Sequence, residues 1–177
     1  MCGGGRRVEL DGVRIVIRSS LPKRGFTIIE MVIVIAVIAI LAMMMAPSFF
    51  DRTVRVQVQD GMALAAVAKN NVMAYYALKG ELPADNSEAG APPKEKIVGN
   101  YVTGVEIING MVTITFGNNV NASIRGKRLS FRPAIVKDAP TVPIAWLCNN
   151  AAVPNGMTAS AANQTDIPAK WLPLECR

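Results

Sequence analysis

The sequence predicts an α+β protein: a long N-terminal α-helix, membrane-spanning and then amphipathic, packed on a four-stranded antiparallel sheet with a C-terminal disulfide-bounded loop. Three observations predict it. Nothing from Met31 to Ala46 is polar. From Val54 to Tyr75 apolar residues recur every three or four positions, the spacing of one helix face. From Tyr101 onward, short β-branched and aromatic runs alternate with turn residues.

Residues 1–25 form a basic leader, in which no regular structure is expected given Gly3-Gly4-Gly5 and Pro22. They hold six of the chain's 19 Lys and Arg and two of its 13 Asp and Glu, a local charge of +4 that leaves +2 for residues 26–177. A basic segment ahead of an apolar run marks the cytoplasmic side of a membrane span, which puts the C-terminal body across the membrane. A secretory signal would carry a shorter apolar core with its cleavage site behind it. Here the punctuation, Lys23-Arg24-Gly25, stands in front.

One helix is expected over residues 26–79, with 26–50 in lipid. From Phe26 to Ala46 it measures about 31 Å at roughly 1.5 Å per residue, close to the thickness of bilayer hydrocarbon. The β-branched run Val32 to Ile40 also suits buried strands, but its length favours a helix. Glu30 is the anomaly: a carboxylate within a span costs several kcal/mol and is a functional candidate for that reason. Pro47 removes a backbone donor, so a kink or local melting is expected there. Beyond it, Val54, Val58, Gly61, Ala65, Ala68, Val72 and Tyr75 form the apolar face, and Asp51, Arg52, Arg55, Gln57, Gln59 and Asp60 mark emergence into water. Lys79-Gly80 and then Pro83 end the helix.

Residues 80–100, with Pro83, Gly90, Pro92, Pro93 and Gly99, read as a connecting loop. Residues 101–148 read as the sheet. Tyr101 to Ile108 and Met111 to Phe116 flank Asn109-Gly110, a strong hairpin signal. Asn121 to Arg132 is the expected third strand, bent at Gly126, and Val142 to Cys148 the fourth. Residues 149–177 show no regular element. On the exported side, a Cys148–Cys176 bridge would tie this tail to the last strand, the alternatives being two free thiols or an intermolecular bond. Cys2, on the reducing side, is expected to be a free thiol.

The chain has no histidine, which excludes a Cys/His zinc site and a His-based triad. No nucleophile–base pair or metal cluster stands out, so no enzyme, metal or cofactor is expected. Tyr75, Tyr76 and Trp146 read as core, and Met43-Met44-Met45 as packing material. Arg125, Lys127, Arg128 and Arg132 form a basic cluster whose plain reading is a solvated strand face. DNA binding through it finds little support in a net charge of +2.

Arg24-Gly25-Phe26-Thr27-Ile28-Ile29-Glu30 resembles the processing motif of the type IV pilins. The resemblance runs on through Pro47, Gly99-Asn100-Tyr101-Val102, Asn109-Gly110, Leu129-Ser130-Phe131-Arg132-Pro133, Trp146-Leu147-Cys148 and the segment from Ile167 to Cys176. The leader is longer than is common in that family, and Ala39 stands where its members often carry glycine. The resemblance implies cleavage between Gly25 and Phe26 by a prepilin peptidase and N-methylation of Phe26 by the same enzyme. It gives Glu30 and Pro47 roles in assembly. It further implies a helical homopolymer built by dedicated machinery with separate ATPases, starting from the inner membrane and ending as an extracellular pilus. Surface attachment, twitching motility and DNA uptake are the functions of such fibres. The other readings are a minor pilin or type II secretion pseudopilin and, from another class, an exported enzyme or binding domain on a single-pass anchor.

Overall fold

The computed structural model describes residues 25–177, with the backbone alone at 46–48, and the backbone of two short leader strands. Those strands, β1 (Val8–Leu10) and β2 (Val13–Ile15), pair antiparallel with Val8 opposite Ile15. This departs from the structureless leader expected above. Asp11-Gly12 between the apolar residues Leu10 and Val13 is itself a hairpin signal, which a reading based on the other glycines and Pro22 passes over. The chain divides into two compact units, residues 1–44 and 45–177.

In the first unit the principal element is the opening part of α1 (Ile28–Lys79). Its segment Ile28–Met45 is long and apolar enough to cross a membrane, and none of it is buried within the chain. The helix begins two residues after Phe26 and is unbroken at Pro47.

In the second unit one face of α1 packs on a five-stranded antiparallel sheet. Its strands are β3 (Val102–Ile108), β4 (Met111–Phe116), β5 (Arg128–Ile135) and β6 (Ala145–Cys148), in that order, with the short β7 (Thr158–Ala159) pairing β5. The helix face is the expected one up to Val72 and then shifts. Tyr76 is 3% exposed and in the core, whereas Tyr75 is only half-buried. Carried on to Tyr75, the expected stripe steps 4, 3, 4, 3, 4, 3, an average of 3.5 against 3.6 residues per turn, so the face drifts by about 20° per heptad and the last position moves on by one. Gly61 lets helix and sheet meet closely: a Cβ there would lie 2.6 Å from Phe116 Cε1. Gln57 is buried rather than a mark of water, because its Oε1 accepts the Asn121 amide at 2.9 Å.

The β3–β4 hairpin turns at Asn109-Gly110 with φ of 49° and 76°, the left-handed pair that a tight hairpin requires. Beside β3, the 80–100 loop covers the sheet edge. Buried Asn86 donates to the carbonyls of Pro92 and Val105 at 2.9 and 3.1 Å and accepts the Ile107 amide at 2.7 Å. An exposed edge with unpaired amides is thereby avoided.

Two strand boundaries differ from expectation. Residues 122–124 make a 3₁₀ turn capped by Asn121, whose side chain accepts the Ser123 amide at 2.9 Å, and β5 starts only at Arg128. That strand then continues through Pro133, which is tolerated because its pairing with β4 has already ended at Phe131. On the other side β6 begins at Ala145, beyond Pro143.

The tail is tied down more thoroughly than expected. Cys148 and Cys176 are bonded, with Cα atoms 5.0 Å apart across a sequence separation of 28. Asn163 Oδ1 accepts Ser130 Oγ and the Thr165 amide, and its Nδ2 donates to Asn150 at 3.0 Å. Arg132 donates to the carbonyls of Asn149 and Ala151 at 3.0 and 3.1 Å. At the far end of the tail, Trp171 Nε1 donates to Asp51 at 2.8 Å and Arg55 Nε to the Lys170 carbonyl at 2.9 Å. A segment with no long regular element is thus held to both sheet and helix.

Candidate functional site

The candidate residues at the head of α1 lie within one and a half turns. Gly25, Phe26 and Thr27 are outside the helix, and Ile28 opens it. Thr27 caps it: its Oγ1 accepts the Glu30 amide at 3.3 Å, while Glu30 Oε2 accepts the Thr27 amide at 3.5 Å. This is a reciprocal capping box, Thr-x-x-Glu, which satisfies two amides that a helix start leaves without partners. The acidic side chain also stands in the first turn of the helix, at the positive end of its dipole. Glu30 therefore has a local structural role besides any role toward a partner. The signal is present in the sequence, and weighing Glu30 only against lipid misses it.

Phe26 is 78% exposed, and Ile28 and Ile29 are exposed beside it. A Cβ at Gly25 would meet nothing within 4 Å, and its φ lies outside the left-handed region. Nothing among the described residues requires a glycine at that position. Pro47 lies within α1, and Phe49 and Phe50 beyond it are exposed.

The remaining sequence candidates are structural in the second unit. Cys148 and Cys176 form the bridge already described. The basic cluster is largely occupied by its own chain. Arg132 holds the tail, Arg125 donates to the Val120 carbonyl at 3.5 Å and Lys127 to the Asp166 carbonyl at 3.4 Å. Among the described residues there is no group of three or more His, Cys, Asp or Glu side chains that could hold a metal. Lys69, unremarked in the sequence, has an unusual setting. Its Nζ lies 3.4 Å from the centroid of the Phe131 ring and 5.5 Å from that of Trp146. Burial pushes its ammonium down to about 8. The aromatic faces hold that charge by cation–π attraction.

An exposed apolar helix with a capped N-terminal turn, and a small disulfide-closed antiparallel sheet, define an α+β class of protein with a candidate membrane span. The family Pilin (bacterial filament) matches residues 54–177, and the prokaryotic N-terminal methylation motif matches residues 21–46. The chain belongs to the pilin family, whose members are structural fimbrial proteins and not enzymes. It is 38% identical over 164 residues to a fimbrial protein of Neisseria meningitidis serogroup B, covering 88% of this chain and 94% of that one. With the type IV major pilin protein PilE of Neisseria gonorrhoeae the identity is 39% over 161 residues, with the same coverage. With the fimbrial protein EcpC of Eikenella corrodens it is 34% over 158 residues, covering 88% and 91%.

Proposed function

We propose that this chain is the repeating, major subunit of a type IV pilus, made as a membrane precursor and displayed as an extracellular fibre. Its match to relatives named major pilins over 94% of their length supports the major rather than the minor role. The observation that carries the mechanism is the N-terminal turn: a glycine that no described residue crowds, an exposed Phe26 and a fixed Glu30 heading a wholly exposed apolar segment.

The leader holds the apolar segment of α1 across the inner membrane with residues 1–25 in the cytoplasm. A prepilin peptidase cuts the Gly25–Phe26 bond, where the absence of a side chain lets the backbone enter a narrow active site. Cleavage places a new cation at the Phe26 amine, which the same enzyme methylates. In the filament that cation pairs with Glu30 of a neighbouring subunit, since either charge alone is costly in an apolar core. The apolar helix face cannot leave the bilayer for water, because each large side chain would forfeit about 1.5–3 kcal/mol. A subunit therefore leaves lipid only into the packed core of the growing fibre, driven by assembly ATPases. Pro47 provides a weak point at which α1 adjusts as the core packs. The fibre serves surface attachment and twitching motility.

Processing tests this reading. Gly25→Val is expected to leave α1 folded, since there is open space around that Cβ, while the uncleaved precursor accumulates in the membrane. Immunoblotting for the size shift reads the result. Cleavage of the variant at the wild-type rate contradicts it.

A further inference from the structure

Asparagine is followed by glycine at two positions, Asn109-Gly110 and Asn155-Gly156, and methionine follows both pairs. In such a pair the glycine nitrogen can approach the carbonyl carbon of the asparagine side chain, because no Cβ stands in the way. The chemistry open to the two sites is alike, and the fold separates them.

Asn109-Gly110 is pinned. It closes the β3–β4 hairpin, with Ile108 paired to Met111. The Asn109 amide donates to the Ala84 carbonyl at 2.9 Å and the Gly110 amide to the Pro83 carbonyl at 2.8 Å, and Gly110 is buried. The nitrogen that would attack therefore holds its proton against a carbonyl, away from water. Leu82 closes over the turn: a Cβ at Gly110 would lie 2.9 Å from Leu82 Cδ2. Asn155-Gly156 is open. Both residues are exposed, and a Cβ at Gly156 would meet nothing within 4 Å. Neither the Gly156 amide nor the Asn155 side chain has a hydrogen-bond partner among the described residues. One bond closes this turn, from the Met157 amide to the Pro154 carbonyl at 3.1 Å.

We propose that Asn155 is a site of spontaneous modification, deamidation through a cyclic imide, and that the fold protects Asn109 from the same reaction. The Gly156 nitrogen gives its proton to hydroxide and attacks Asn155 Cγ, forming an N–Cγ bond. The Cγ–Nδ2 bond breaks, and the side-chain nitrogen leaves as ammonia. Water then opens the imide. Cleavage of the new N–Cγ bond gives aspartate, and cleavage at the main-chain carbonyl gives isoaspartate, which lengthens the main chain by one carbon. In total one water enters and one ammonia leaves, with nothing oxidised or reduced. Each conversion places a carboxylate on an exposed loop just before β7 and takes the charge of residues 26–177 from +2 to +1. The inference rests on the folded second unit and not on the filament reading above.

Peptide mass spectrometry of the purified full-length chain, incubated in detergent at mildly alkaline pH, tests it with a separation that resolves isoaspartate. Asn155 is expected to exchange its amide nitrogen for oxygen at least about tenfold faster than Asn109, the ratio that one held hydrogen bond sustains. In denaturant with reductant the two rates are expected to converge, since the shared Asn-Gly-Met sequence then acts alone. Equal rates in the folded chain, or an Asn155 that stays intact there, overturn the proposal. A difference that persists unchanged in denaturant overturns it too, because the neighbours Ile108 and Pro154 then cause it and not the fold. Asn155→Gln, an exposed change, is expected to abolish the isoaspartate peptide of this loop while Asn109 stays unmodified. Survival of that peptide in the variant counts against the assignment.

Discussion

Glu30→Ala is expected to abolish surface filaments while leaving cleavage at Gly25 intact. Two effects separate in this position. The capping box contributes about 1 kcal/mol to the start of α1, a loss that a helix of 52 residues tolerates. The charge counts for more, because a Phe26 ammonium left without a partner in an apolar core costs about 3–5 kcal/mol. At about 1.4 kcal/mol per tenfold, each subunit addition weakens by a factor of about 140 to 4,000. The conservative variants distinguish the two effects. Glu30→Gln keeps a side chain that can close the box and removes the charge, so it is expected to fail like the alanine. Thr27→Val opens the box and keeps the charge, so it is expected to assemble. Shearing and quantifying filaments from the three strains measures this. Normal piliation of the Gln variant would show that Glu30 acts as a cap alone.

The second large effect lies in the tail. Cys148→Ser with Cys176→Ser is expected to destabilise the globular unit by about 3.5 kcal/mol, from the loop entropy that a bond across 28 residues removes from the unfolded chain. For a unit of this size that lowers the unfolding midpoint by about 10 °C, read by thermal melts of detergent-dispersed subunits with and without reductant. The tail stays docked at room temperature in the double variant, because the Asn163 network and the Trp171–Asp51 bond persist. Their partners lie on β5 and α1, so amide exchange near Ser130 should remain slow below the new midpoint. An unchanged midpoint would mean that these polar contacts alone fix the tail.

The legible and illegible parts of this fold divide by the range of the interactions that set them. The apolar run, the amphipathic stripe and the Asn109-Gly110 hairpin are local patterns, and each appears where its period or dipeptide indicates. Gln57, Asn86 and Asn163 look like surface residues because their hydrogen-bond partners are contributed by distant chain: Asn121 for Gln57, Ile107 for Asn86, Ser130 for Asn163. No local pattern distinguishes them from solvated amides. The stripe's last member is misplaced by one residue because the heptad drift becomes visible only over three turns or more. Lys69 is a half-buried cation that only the juxtaposition of α1 with β5 and β6 creates. The N-terminal turn is the opposite case. Thr27 and Glu30 announce their box in four consecutive residues, and only attention to the membrane obscures it.

The most direct test of the account is the N-terminus of the protein in purified surface filaments. Intact-mass and N-terminal peptide analysis of sheared fibres is expected to find a single dominant chain that begins at N-methylated Phe26 and retains Cys176. A filament chain that still begins at Met1, or fibres that lack this protein, would contradict it.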